Sequence, residues 1–84
     1  MPELCRFYGI IIRMYFQASE HNPPHLHVVY GDDTAEISLS TFEILEGHLP
    51  NNALRLVRKW MRINQDELLK MWKTQKFKKL KPLK

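Results

Sequence analysis

Three of the chain's four histidines fall within the stretch Glu20-His21-Asn22-Pro23-Pro24-His25-Leu26-His27. On an extended strand, side chains two positions apart share a face about 6.5–7 Å apart, so His25 and His27 can converge on one metal ion or one phosphate. His21 joins them only if the chain folds back across Asn22-Pro23-Pro24, which is stiff because each proline ring fixes its own φ and Pro24 holds Pro23 extended. A carboxylate from Glu20, Asp32 or Glu36 would add the oxygen that zinc, manganese or iron accepts beside imidazole. Without a metal, one imidazole acting as base and one as acid could carry RNA transesterification or hydrolysis, because histidine titrates near neutral pH. Arg13, on the polar side of the neighbouring strand, would then hold the phosphate. Weighed against both is the commoner meaning of a His-x-His pair on a half-exposed strand, which is a plain polar face. His48 has no partner near it in sequence and reads as a loop residue.

The second feature that could meet a ligand is charge. The net charge of +4 hides an asymmetry: residues 1–54 carry two basic and seven acidic side chains, a net of −5, whereas residues 55–84 carry eleven and two, a net of +9. Arg55, Arg58, Lys59 and Arg62 recur at helical spacing, and with the lysines that follow they could neutralise a phosphate backbone of RNA or DNA, or meet an acidic protein partner. A solvated helix face would carry the same residues. Trp60 and Trp72 read as core rather than base-stacking platforms, and Cys5, with only Arg6 beside it, as an inert buried thiol.

The elements that must position these residues follow from periodicity. Tyr8, Ile10, Ile12, Met14 and Phe16 alternate as in one long strand with a buried face. After the proline-rich loop, Leu26, Val28 and Tyr30 point one way and His25, His27 and Val29 the other. Gly31-Asp32-Asp33 marks a hairpin into a strand over Thr34–Leu39, and a shorter strand is expected around Phe42–Leu45. Pro50 suits a first helical turn, and Ala53, Leu54, Leu56, Val57, Trp60, Met61 and Ile63 form a broad apolar face. Asn64-Gln65-Asp66-Glu67 resembles a capping box that would start a second helix, with Leu68, Leu69 and Trp72 on its apolar side, extended by Gln75 and Phe77. Strands first and helices after predict an α+β domain: a three- to four-stranded antiparallel sheet packed by two C-terminal helices. One domain over 1–84 is expected, with a basic tail over 78–84 that Pro82 keeps from continuing as helix.

Length and composition bound the rest. Eighty-four residues, 44% of them hydrophobic, make a single small globular core, and homo-oligomerisation is compatible with so small a one. The one cysteine excludes an internal disulfide and a Cys-rich zinc knuckle and points to a reducing compartment. The start lacks the features of a signal peptide, and no apolar run approaches the ~18 residues of a membrane helix. A cytoplasmic protein without membrane partners is therefore expected. No cofactor is demanded, and zinc or another divalent metal is the one that the residues could take.

The order and spacing of "MPELCRFYGIIIRMYF", "EHNPPHLHVVYG", "ILEGHLP", "ALRLVRKW" and "DELLKMW…KKLKPL" resemble the bacterial family called domain of unknown function 4160 across nearly the whole chain. His21, Asn22, Pro23, Pro24, His25 and His27 map onto that family's block residue by residue. The resemblance brings no verified catalytic residue. It implies a gene neighbour from a second small family, domain of unknown function 2442, in an arrangement like that of a toxin and antitoxin pair. The expectation is a toxin-like subunit, a ribonuclease in the enzymatic case, with His25, His27 and His21 as reactive groups, Arg13, Arg55, Arg58, Lys59 and Arg62 as substrate contacts, and a small antitoxin-like protein as partner. The alternatives are a non-catalytic antitoxin or regulatory module, and a metal-binding domain built on His21, His25 and His27. The chain departs from the family pattern in its last third, where Arg58, Lys59, Arg62, Lys73, Lys76 and Lys78 make it unusually basic.

Overall fold

The computed structural model describes residues 3–15 and 23–83. Its first two strands, β1 (Glu3–Phe7) and β2 (Ile10–Arg13), are joined by Tyr8-Gly9, which has φ values of +49° and +80°. Positive φ at both central positions is what a tight hairpin needs to match the strand twist, and glycine takes one of them without a Cβ penalty. β3 (His25–Tyr30) and β4 (Asp33–Ser38) form the hairpin expected around Gly31-Asp32, and β5 (Ile44–Gly47) follows. The five strands form one antiparallel sheet in the order β1-β2-β3-β4-β5.

This corrects the expectation of three or four strands. The strand predicted over Tyr8–Phe16 is β2 alone, preceded by a turn and by β1. Apolar residues are buried on both sides of that turn (Leu4, Cys5 and Phe7 before it, Ile10 and Ile12 after), so only Gly9 marks the break. Phe16 lies outside the described residues. β5 begins two residues later than the short strand expected from Phe42, because Phe42 itself takes a φ of +65° in a tight loop closed by Ser38 N–H to Glu43 O and Phe42 N–H to Ser38 O.

The second correction concerns the helices. A single helix, α1 (Asn51–Thr74), runs through the Asn64-Gln65-Asp66-Glu67 segment. Asn64 does not cap a new helix; its side-chain amide donates to Trp60 O at 2.9 Å, and that of Gln65 donates to Leu39 O at 2.9 Å. Both amides are therefore used where the buried stripe of Ala53, Val57, Trp60 and Met61 passes on to Leu68 and Met71. Gln75, expected with Phe77 to extend the helix's apolar side, instead ends the helix in the left-handed conformation at φ +57°, its N–H bonded to Met71 O.

The helix stripe joins Ile12, Leu26, Val28 and Ile37 of the sheet, and Leu39 just past β4, in one buried core. The chain after the helix returns to this core: Leu80 N–H donates to Leu4 O at 2.8 Å, and the Trp60 indole donates to Lys81 O at 2.7 Å. Trp60 is core, as expected, at 1% exposure.

Candidate functional site

Strand register assembles the site. The Cα partners Glu3↔Arg13, Arg13↔His27, His27↔Glu36 and Glu36↔Glu46 form a continuous row across all five strands. Directly opposed residues of neighbouring strands share a face, and the alternation that sends Leu26 and Val28 into the core sends His25 and His27 to the other side. One sheet face is thus apolar and covered by α1, while the other carries a line of five ionisable groups.

His25 and His27 come together as predicted, with ring centroids 5.0 Å apart. His25 opens β3 and is only 5% exposed, with its ring also 5.1 Å from that of Trp72 near the end of α1. Its Nδ1 lies 2.8 Å from Pro23 O. A carbonyl oxygen only accepts, so Nδ1 carries the hydrogen and donates it. The neighbouring Pro24 O accepts from Leu39 N–H at 2.9 Å, so the stiff lead-in to β3 is tied to the fold on one side and aims the His25 ring on the other. Nε2 of that ring faces Glu36 Oε1 at 3.4 Å.

His27 is packed edge-on by the Tyr15 ring at 4.3 Å. Burial pushes its pKa down and the neighbouring His25 adds to this, while Glu36 and Glu46 work in the opposite direction. One ligand atom from each of His25, His27 and Glu36 lies within 4.8 Å of the other two.

Of the three carboxylates weighed from sequence, Glu36 is the one at the site. Asp32 sits in the β3–β4 turn at the far end of the hairpin, and Glu20 and His21 lie outside the described residues. Arg13 takes its expected place beside His27, between it and Glu3. The helix cations do not converge with the histidines: Arg55, Arg58, Lys59 and Arg62 line their own depression with Asn51 and Leu54, and Arg58 Nε donates to Phe42 O at 2.9 Å. His48 follows β5 as an exposed residue whose backbone N–H bonds Thr34 O, as a loop residue should. Burial raises the Cys5 pKa, in keeping with an inert thiol.

Sequence reading missed Tyr15, Trp72 and Glu46 as neighbours of the histidines. Tyr15 lies two residues beyond Arg13 and shares its parity, a signal that was present. Glu46 and Trp72 reach the site only through the β4–β5 register and the uninterrupted helix. No helix among the described residues is long and apolar enough to cross a membrane.

Neither the curated proteins nor the solved structures include a match to this chain. The family model described as "Domain of unknown function (DUF4160)" matches residues 9–73, which include both histidines, Glu36 and nearly all of the helix. The chain belongs to the DUF4160 family.

Proposed function

We propose that this chain is the toxin-like subunit of a bacterial type II toxin-antitoxin pair and that it acts on the phosphodiester backbone of RNA at the His25–His27–Glu36 cluster. The observation that carries this reading is the convergence of two imidazoles and a carboxylate on one sheet face, where Arg13, His27 and Glu36 are cross-strand neighbours and His25 lies two residues before His27 on the same strand. Cleaving a phosphodiester needs a base to take the nucleophile's proton, an acid to protonate the leaving oxygen, and positive charge for the phosphate. One of the two imidazoles serves as base, the other in its protonated form as acid, and Arg13 supplies the charge. Arg55, Arg58, Lys59 and Arg62, grouped elsewhere on the surface, hold a more distant part of the RNA or the antitoxin, for which a DUF2442-family neighbour is the candidate.

Expression should arrest growth, co-expression of the neighbouring gene product should relieve the arrest, and His25→Ala with His27→Ala should abolish it. A double variant that folds and remains equally toxic removes the histidines from the mechanism.

The separation of the helix cations from the histidines favours a second reading, a non-catalytic antitoxin or regulatory module that docks nucleic acid or protein through α1. It requires salt-sensitive binding without turnover, weakened by Arg55→Ala with Arg62→Ala and indifferent to the histidines.

A further inference from the structure

We propose that His25, His27 and Glu36 form a binding site for one divalent transition-metal ion of the zinc class. The proposal takes from the reading above only that this cluster is the working site.

Three observations support it. The first is the direction of the His25 lone pair. Because Nδ1–H is committed to Pro23 O, Nε2 of the neutral ring is an acceptor, and it faces a carboxylate oxygen, which is also an acceptor. Two acceptors that face one another are placed to share a cation. A proton is the smallest such cation, but a charge-assisted N–H···O contact closes to about 2.7–2.9 Å, and this pair stands at 3.4 Å.

The second is the spacing itself. Ligand atoms about 2.0–2.1 Å from zinc and separated by a tetrahedral angle lie about 3.3 Å from each other. The His25 Nε2 to Glu36 Oε1 distance of 3.4 Å matches that edge. The His27 ring nitrogen completes a set within 4.8 Å, and zinc binding would draw its remaining edges in to the same length.

The third is the support around the ligands. Metal-bound histidines usually donate their other ring nitrogen to a carbonyl or carboxylate, which fixes tautomer and orientation. His25 does this through Pro23, on a segment whose backbone is stiffened by two consecutive prolines. Trp72 backs its ring and Tyr15 meets that of His27. Two imidazoles and one carboxylate are also a donor set that zinc accepts with a fourth position left for water or a phosphate oxygen, which is what a phosphodiester substrate would use. Harder ions such as magnesium and calcium prefer sites made of oxygen alone.

The test is equilibrium dialysis of zinc against the full chain purified without a histidine tag and stripped with a chelator. The wild type should bind one equivalent, and cobalt in its place should give the visible absorption of a tetrahedral site. Glu36→Gln and His27→Gln, whose side chains are only partly buried and whose folding is checked by circular dichroism, should each weaken zinc affinity at least about tenfold. A folded wild type that binds no zinc overturns the site, as do folded variants that bind it as tightly as the wild type. Growth arrest is scored separately. Zinc binding without histidine-dependent arrest keeps the metal site and removes the function proposed above; histidine-dependent arrest in a protein that binds no zinc does the reverse.

Discussion

The two faces of the sheet are built from alternate residues of the same strands, yet they divide stability and chemistry between them. In β3, Leu26 and Val28 are buried against the helix side, while His25 and His27 face Glu36 on the other. On the covered face a change of size should unfold the protein. On the polar face a change of charge or donor type should leave the fold standing and remove its function. The division is incomplete at one end of the β3–β4 pair, where His25 and its cross-strand partner Ser38 are as buried as the core while belonging to the polar face.

The largest effect belongs to the covered face. Trp60→Ala removes a side chain that is 1% exposed and also the donor that ties Lys81 O to the helix. It should cost about 3–5 kcal/mol, much of the stability expected of a domain this small, and urea denaturation should show a chain largely or wholly unfolded. A near-native midpoint would mean that the helix and tail do not close the core.

Next comes a residue that links the two faces. Gly47 has φ +88°, and a Cβ there would strike the Thr34 carbonyl. Gly47→Ala should therefore cost about 1–3 kcal/mol through strain and clash, and the damage should fall first on β5 and so on Glu46. Hydrogen exchange that is faster across β4–β5 than across β1–β2 would locate it. By contrast, Glu36→Gln should change stability by less than about 1 kcal/mol while reducing growth arrest at least as far as it reduces zinc binding. A Glu36→Gln protein that is unstable would show the carboxylate to be a structural partner of His25 instead.

How much of this was legible beforehand follows from which signals were local. The β3–β4 hairpin could be read because alternation on both arms is interrupted by Gly31-Asp32, and the pairing of His25 with His27 follows from a period of two. The β1–β2 hairpin was not legible, since its turn is set inside an apolar run and requires Tyr8 in a positive-φ conformation that such a residue seldom adopts. The sequence suggests two helices because Asn64 and Glu67 have the types and spacing of a capping box, and only the folded structure shows the Asn64 and Gln65 amides bonded to Trp60 O and Leu39 O. Glu36 was one of three equal candidates until register put it opposite His27. The basic residues of α1 were legible as charge, but their distance from the histidines depends on which sheet face the helix covers.

The smallest effect distinguishes the faces by pH. Burial holds the His27 pKa below its ordinary value, with His25 adding to the shift and Glu36 and Glu46 opposing it. In chelator-treated protein the folded chain therefore takes up a proton at His27 less readily than the unfolded chain does. The stability this represents is present above the ordinary histidine pKa and is lost as pH falls through the lowered one. On the covered face the sign is reversed. Burial holds the Cys5 thiol above its ordinary value, so its contribution is complete below the free thiol pKa and is lost as pH rises through the raised one. Denaturation midpoints measured from mildly acidic to alkaline pH should thus decline at both ends. His27→Asn should flatten only the acid limb, because Asn cannot charge, and Cys5→Ala only the alkaline limb. If His27→Asn leaves the acid limb unchanged, His27 is solvated like any surface imidazole, and the desolvated part of the polar face is confined to His25 and Ser38.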